Sequence, residues 1–403
     1  MPKLFQIVIE TNKGSVGRIA EQIGETVLEN GWSSYVTYAR GNNPSTSEVI
    51  RIGSKFDVYW HGFETRILDN HCFSSTSATK DLIKTIKEIK PNLIHLHHLH
   101  GYFINIEILF NYLKESKIPV VWTFHDVWSI TGHCTHFDFV GCDKWKTQCH
   151  HCEQKKEYPK SLIFDRSRQN YIDKRRIFNS VDNLTIVSVS KWLDKVVGQS
   201  FLNNLSREVI YNGVDIDLFR PQVTNVRDKF KIEDKFLIVG VATTWDKRKG
   251  FEDFMKLSKK LNQDDIIILV GLSISQIKSL PSNIIGIERT ESQQELSGLY
   301  CAADLFMNLS VEETFGLTTA EALACGTPAL VYDATACPEL VDENSGFIVK
   351  KNDIDDLVNK VNLIKIKKKK SYTNACRSRA VSLFNKKERC LEYLELYARL
   401  LKE

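Results

Sequence analysis

Short apolar runs alternate with stretches of helical periodicity along the whole chain. Residues 4–9 form an apolar run. After the polar, glycine-bearing segment 10–17, Ile19, Ile23 and Val27 recur at helical spacing as far as Gly31. This predicts a strand, a glycine loop, a helix, and then a strand over 34–38. The same reading predicts a helix over 80–90, a strand over 93–96, a helix over 104–114 and a strand over 120–124. A helix over 161–179 and strands over 184–189 and 209–211 follow. The pattern restarts beyond a polar stretch that holds Gly213 and Pro221, which places a domain boundary there: 1–213, then 214–385. The second half reads as strands over 236–242, 266–270, 283–287 and 305–309, with helices from Phe251 and over 294–302, and a last helix over about 386–402. Such alternation implies parallel sheets covered by helices on both faces, with ligands bound beyond the carboxyl ends of the strands.

One stretch carries more than periodicity. The apolar run 305–309 leads through a short loop into a helix over 316–324, which Gly326 and Pro328 stop. The first turn of such a helix offers unpaired backbone N–H groups and the positive end of the macrodipole, a place for phosphate. Gly316 allows close backbone approach. Glu313 stands just before the helix and Glu321 eight residues later, which on a helix returns to roughly the same side about 12 Å along the axis. An anion repels both carboxylates, so their task is to accept hydrogen bonds from hydroxyls on either side of it. A nucleotide sugar has that layout of sugar, diphosphate and ribose. The competing reading is a surface carboxylate pair on a structural helix.

The string from Glu313 through Phe315, Gly316, Leu317, Thr318 and Glu321 to Gly326, Thr327 and Pro328 resembles the signature of the retaining glycosyltransferases of the GT4 family. The resemblance implies the GT-B fold: two Rossmann-like, doubly wound α/β domains facing across a cleft, the first binding acceptor, the second the nucleotide sugar, and the last helix, about 386–403, packing back on the first. It also implies roles. Glu313 holds the transferred sugar, Glu321 the ribose, and the amides of residues 315–318 the diphosphate. Lys249 before Gly250 resembles the family's diphosphate lysine, and Arg248 stands in for an arginine that the family carries a few residues earlier. Gly14, Ser15 and Gly17 line the diphosphate from the first domain, and Arg289 flanks the base or makes a surface salt bridge. Residues 334–339 replace the family's usual glycine pair. The implied reaction moves a hexosyl group from a UDP or GDP sugar to a glycan or polyprenyl-diphosphate-linked acceptor, in bacterial capsule, O-antigen or colanic-acid-like assembly.

All eleven histidines lie between His61 and His151, two groups of them in loops at strand ends: His97, His98 and His100, and His125 beside Asp126. The segment Trp122-Thr123-Phe124-His125-Asp126 resembles the family's strand-end motif, which implies that His125 contacts the transferred sugar, with Asp126 orienting the acceptor or acting as its base. Cys134, Cys142, Cys149 and Cys152 end in C-x-x-C and suit one structural zinc, or else are reduced cysteines packing a long loop. No cofactor is expected for catalysis.

Composition narrows the rest. With 403 residues, 42% hydrophobic, 26% charged and a net charge of +4, the chain reads as a soluble multidomain protein and not a nucleic-acid binder. No run of eighteen apolar residues and no leader is seen, so the expected location is cytoplasmic. The basic block 365–370 and the Lys80, Lys84, Lys87, Lys90 face are the candidate surfaces for peripheral attachment to the inner membrane, or are simply solvated. Two rival functions use the same features: a sugar-nucleotide epimerase or phosphorylase of the same fold, and a non-enzymatic zinc-bearing interaction module.

Overall fold

Strands buried on both faces need no alternation of polar and apolar residues, and the most continuous apolar runs in the chain are its central strands. The computed structural model describes residues 1–402. They fold as two units, Met1–Ile210 joined by the segment from Arg389 onward, and Tyr211–Glu388.

The first unit is built on strands β1 (Lys3–Ile7), β2 (Ser33–Tyr38), β3 (Glu48–Arg51), β4 (Leu93–Leu96), β5 (Val120–Phe124), β6 (Leu184–Ser188) and β7 (Ser206–Val209). They lie in the order β3-β2-β1-β4-β5-β6-β7, every pair parallel. The order reverses between β1 and β4, which is where ligands enter doubly wound sheets. Helix α1 (Gly14–Glu29) buries Val16, Ile19, Ala20, Ile23 and Val27.

The glycine segment before α1 differs from expectation. Gly14 to Gly17 are already its first turn, because Glu10–Thr11 pairs with Gly41–Asn42 and Asn12, at φ 47, makes the bend. Gly17 serves packing: a Cβ there would lie 2.4 Å from the Glu10 carbonyl oxygen. The helix expected over 161–179 starts only at Ser167 (Ser167–Phe178). Ahead of it, the Leu162 and Phe164 amides donate to the Arg66 and Ile67 carbonyls, 2.7 and 3.1 Å, at the end of α2 (Lys55–Leu68), a helix the periodicity did not predict. From the last helix (Lys386–Leu400), Cys390, Tyr393, Leu396 and Tyr397 enter the core with Leu4, Ile23, Leu93 and Val121.

The second unit repeats the plan with β8 (Phe236–Val241), β9 (Asp265–Val270), β10 (Ile284–Ile287), β11 (Leu305–Asn308), β12 (Ala329–Tyr332) and β13 (Gly346–Val349). The order is β10-β9-β8-β11-β12-β13, all parallel, with its reversal between β8 and β11. Helix α3 (Leu317–Ala324) starts at Gly316, φ 97, and is closed by Gly326, φ 75. Part of the basic block is built into this fold: Lys365 Nζ donates to Asp265, 2.6 Å, and Lys369 Nζ to the Cys301 and Ala303 carbonyls, 2.6 and 2.8 Å. Among the described residues no helix is long and apolar enough to cross a membrane.

Candidate functional site

Each sheet carries a polar cluster at its reversal point. In the second unit the loops after β8 and β11 meet because Gly250 permits it. Gly250 stands at φ 77, and a Cβ there would fall 2.3 Å from the Leu309 carbonyl oxygen. Asp246 caps the short turn Lys247–Lys249 by accepting from the Lys249 amide, 3.0 Å, and the Val311 amide donates to the Arg248 carbonyl, 2.9 Å. Lys249 Nζ thereby reaches Glu313 Oε1 at 2.5 Å, with both side chains 18% exposed. Burial favours the neutral Glu313 carboxyl, but the Lys249 ammonium and its hydrogen bond, helped by Arg248, outweigh it and hold the group below the ordinary carboxylate range.

The Glu313 backbone is fixed from the other side. Its amide donates to Thr335 Oγ1, 2.8 Å, and its carbonyl accepts from the Ala336 amide, 3.2 Å. Asn308, at the end of β11, donates to Thr319 Oγ1, 3.1 Å, and accepts from the Ser310 amide, 3.1 Å, tying the loop to α3. Gly316, Leu317 and Thr318 stand at the α3 N-terminus, where backbone donors lack acceptors within the helix. The buried Phe315 ring packs on Tyr211 and Phe384, centroids 5.9 and 5.6 Å away, leaving the backbone of Phe315 as its polar part. Glu321 is buried and accepts from the Tyr300 hydroxyl, 2.9 Å. Arg289 is exposed just after β10.

In the first unit the two histidine loops come together beyond β4 and β5. His97 Nδ1 lies 3.2 Å from His125 Nε2, and His97 Nε2 3.1 Å from Gln6 Oε1. Asp126 Oδ2 lies 2.6 Å from His100 Nε2 and 3.3 Å from His98 Nε2, while Oδ1 accepts from the Trp128 amide, 2.9 Å. Burial holds His125 well below the ordinary histidine range, and the His98 and His97 rings push the same way. For Asp126 burial works against ionisation, yet His100 and its hydrogen bond prevail and the carboxyl stays ionised. A neutral imidazole and a buried carboxylate thus stand side by side. His98, His100 and Asp126 are also, among the described residues, the one group of three metal-capable side chains whose ligand atoms lie within 4.8 Å of one another. Gly14 and Ser15 are exposed at the α1 N-terminus, whereas Gly17 is buried.

Cys134, Cys142, Cys149 and Cys152 line one small cavity of about 20 Å³ with His133 and His150. No three of the four sulfurs meet the 4.8 Å spacing. Asn308, Thr335, Tyr300 and Gln6 were missed from sequence. Asn308, a polar residue ending a buried strand, was the one with a visible signal.

Family models match both halves of the chain: Glycosyltransferase Family 4 over residues 16–218 and Glycosyl transferases group 1 over 222–380. WcaC of Escherichia coli (strain K12), a glycosyl transferase named for colanic acid biosynthesis, is 23% identical over 88% of this chain and 89% of its own. An uncharacterized 41.2 kDa protein of the cps region of Klebsiella pneumoniae is 24% identical over 93% of this chain and 98% of its own. Among solved structures, sucrose-phosphate synthase from Thermosynechococcus elongatus superposes with a TM-score of 0.72 at 16% identity, covering 100% of both chains. Anabaena HepE in complex with UDP and glucose does so at 0.70 and 16%, over 99% of this chain and 100% of that one. At such identity these two establish the fold alone.

Proposed function

The chain belongs to glycosyltransferase family 4, and from that premise we propose that it moves a hexosyl group from a nucleoside diphosphate sugar to a lipid-linked glycan with retention of the anomeric configuration. The observation that carries this reading is the Lys249–Glu313 pair at the β8/β11 reversal, beside the α3 N-terminus. A diphosphate seated on the Gly316 to Thr318 amides draws Lys249, with Arg248 behind it, and frees Glu313 to accept from sugar hydroxyls. The largest charge develops on the leaving diphosphate, which preorganised amides and a cation stabilise without reorganising. Glu321 accepts from the ribose. In the first unit, His125 serves the transferred sugar, and Asp126 orients the acceptor hydroxyl or takes its proton. Support for the donor class comes from HepE, whose complexes hold UDP and UDP-glucose. Support for surface polysaccharide comes from the colanic acid and cps relatives. Saturation-transfer NMR against UDP and GDP sugars tests the reading: one nucleotide series is expected to show transfer to its ribose and sugar protons. Silence from every donor overturns it.

We also propose that Cys134, Cys142, Cys149 and Cys152 hold one structural zinc. Four thiols around a cavity with room for about one small occupant suit a closed tetrahedral site once the loop draws them together. Protein purified without added metal is expected to carry close to one equivalent of zinc, and less than about a tenth contradicts the site. Chelation is expected to open residues 134–152 to protease while the unit keeps its folded far-UV signal, because the loop lies outside the core that β1, β4 and β5 share with the last helix.

A further inference from the structure

Helix α2 is turned inside out. Its buried side carries His61, Gly62 and Thr65, while Phe56, Tyr59, Trp60 and Phe63, at i, i+3, i+4 and i+7, stand 51–76% exposed. The rings form one surface: Phe56 and Trp60 lie 6.3 Å apart, Trp60 and Phe63 5.7 Å. The exposed Leu162, Ile163 and Phe164 extend it, since that segment is bonded to the Arg66 and Ile67 carbonyls at the end of α2. Seven large apolar side chains in one patch mark an interaction surface.

Beside the aromatic stripe opens a cavity of about 540 Å³ that Arg40, Arg51, Lys55 and Arg66 line with Tyr59 and Tyr102, and no carboxylate faces it. Among the described residues none of these four cations forms an ion pair. Arg40 instead lies over the Tyr102 ring, 5.1 Å from its centroid. Tyr102 leads inward: its ring packs on Tyr158, 5.9 Å, whose hydroxyl lies 3.1 Å from His100 Nδ1, and His100 reaches Asp126 at 2.6 Å. The cationic cavity therefore joins the apolar patch on one side and the buried Asp126 on the other, all within the first unit.

We propose that this cavity and the outer face of α2 receive the acceptor as a lipid: the four cations hold the diphosphate headgroup of a polyprenyl-type carrier, and the aromatic stripe lies in the bilayer that holds its tail. The inference rests on the acceptor class proposed above and places its headgroup and chain on named residues. A diphosphate supplies the negative charge that four unpaired cations lack, and an apolar chain supplies the cover that the rings lack. A second copy of this chain fits less well, because a two-fold contact at this face brings both sets of cations together. The lysine surfaces singled out from sequence are weaker platforms. Lys365 and Lys369 are engaged within the second unit, and Lys84 pairs with Asp81 at 2.7 Å.

The full chain is to be co-sedimented with phosphatidylcholine vesicles containing undecaprenyl diphosphate, and with vesicles matched in charge by phosphatidylglycerol. Binding to the first is expected to be about tenfold tighter or more, the effect of charge-assisted hydrogen bonds. The double substitution Arg51→Ala with Lys55→Ala is expected to erase that preference, and Trp60→Ser with Phe63→Ser to weaken binding to both vesicles. Soluble pyrophosphate is expected to compete poorly, since it has no chain. Binding of UDP or GDP, whichever the protein takes, is a property assigned to the second unit and is expected to be the same in every variant. Equal binding to the two vesicle types, indifference to the four substitutions, or a change only in the oligomeric state of Trp60→Ser/Phe63→Ser overturns the proposal. Failure of both UDP and GDP to bind instead overturns the donor assignment and leaves the vesicle result standing.

Discussion

Glu313→Ala is expected to slow transfer about tenfold to a hundredfold while sparing the affinity for bare nucleoside diphosphate. This carboxylate is held by Lys249 at 2.5 Å, and the Glu313 amide by Thr335 Oγ1. Removing it releases the ammonium toward an incoming diphosphate, so nucleotide affinity does not fall. The lost partner is the transferred sugar, whose anomeric carbon gains positive charge in the transition state, and the loss of one charged hydrogen bond costs about 1.5–3 kcal/mol, tenfold to a hundredfold in rate. Glu321→Ala is expected to behave in the opposite way, weakening bare nucleotide and full donor alike. That variant also strands the buried Tyr300 hydroxyl, which adds about 1–3 kcal/mol of destabilisation. Tyr300→Phe removes the same bond but keeps Glu321 for the ribose, so a loss of nucleotide binding confined to Glu321→Ala belongs to the carboxylate. Calorimetric titration with UDP and GDP, paired with turnover at saturating donor, separates the two carboxylates. A Glu313→Ala protein that binds nucleotide poorly yet turns over at saturation reverses the assignment.

Gly250→Ala is expected to damage stability and activity together. The residue stands at φ 77, and an added Cβ meets the Leu309 carbonyl oxygen at 2.3 Å and the Leu309 Cβ at 2.7 Å. Left-handed strain of about 1–2 kcal/mol and a clash of about 1–3 kcal/mol together give roughly 2–5 kcal/mol. Relief of the clash drives the β8 and β11 loops apart, and with them Lys249 and Glu313. Gly31→Ala is the control: φ is 79 there, but an added Cβ has nothing within 4 Å, so only the strain applies, about 1–2 kcal/mol. Urea unfolding of the two variants measures the difference. Equal losses contradict the role given to Gly250.

The sequence made β4 and β5 legible to the residue, because strands buried on both faces are mostly apolar runs, broken here only by His95 and Thr123, between polar or proline-bearing stretches. Gly316 and Gly326 marked the ends of α3 for a similarly local reason: both take positive φ. Helix α2 was not legible, since its apolar residues face outward and the inward face holds His61, Gly62 and Thr65. Its Ser54 and Asp57 capping box was the available signal. Exposure of Leu162, Ile163 and Phe164 misled in the same way and stretched the predicted helix six residues ahead of Ser167. Gly17 read as a loop glycine, although its purpose is close packing on Glu10. The histidine loops were placed at strand ends from pattern alone. That His100 and not His125 holds Asp126 depends on how the two loops fold together. Likewise nothing local announces that Thr335 fixes Glu313, a contact made across 22 residues.

The measurement that bears most directly on the account is proton NMR of the anomeric signal of the glycoside formed while the protein transfers sugar from the nucleotide sugar it binds to a lipid-linked acceptor. With Glu313 stabilising the charge at the anomeric carbon and no side chain or water attacking from behind, the first product is expected to keep the donor's anomeric configuration, and its rate to fall about tenfold to a hundredfold in Glu313→Ala. A first product of inverted configuration, or transfer that Glu313→Ala leaves unchanged, contradicts it.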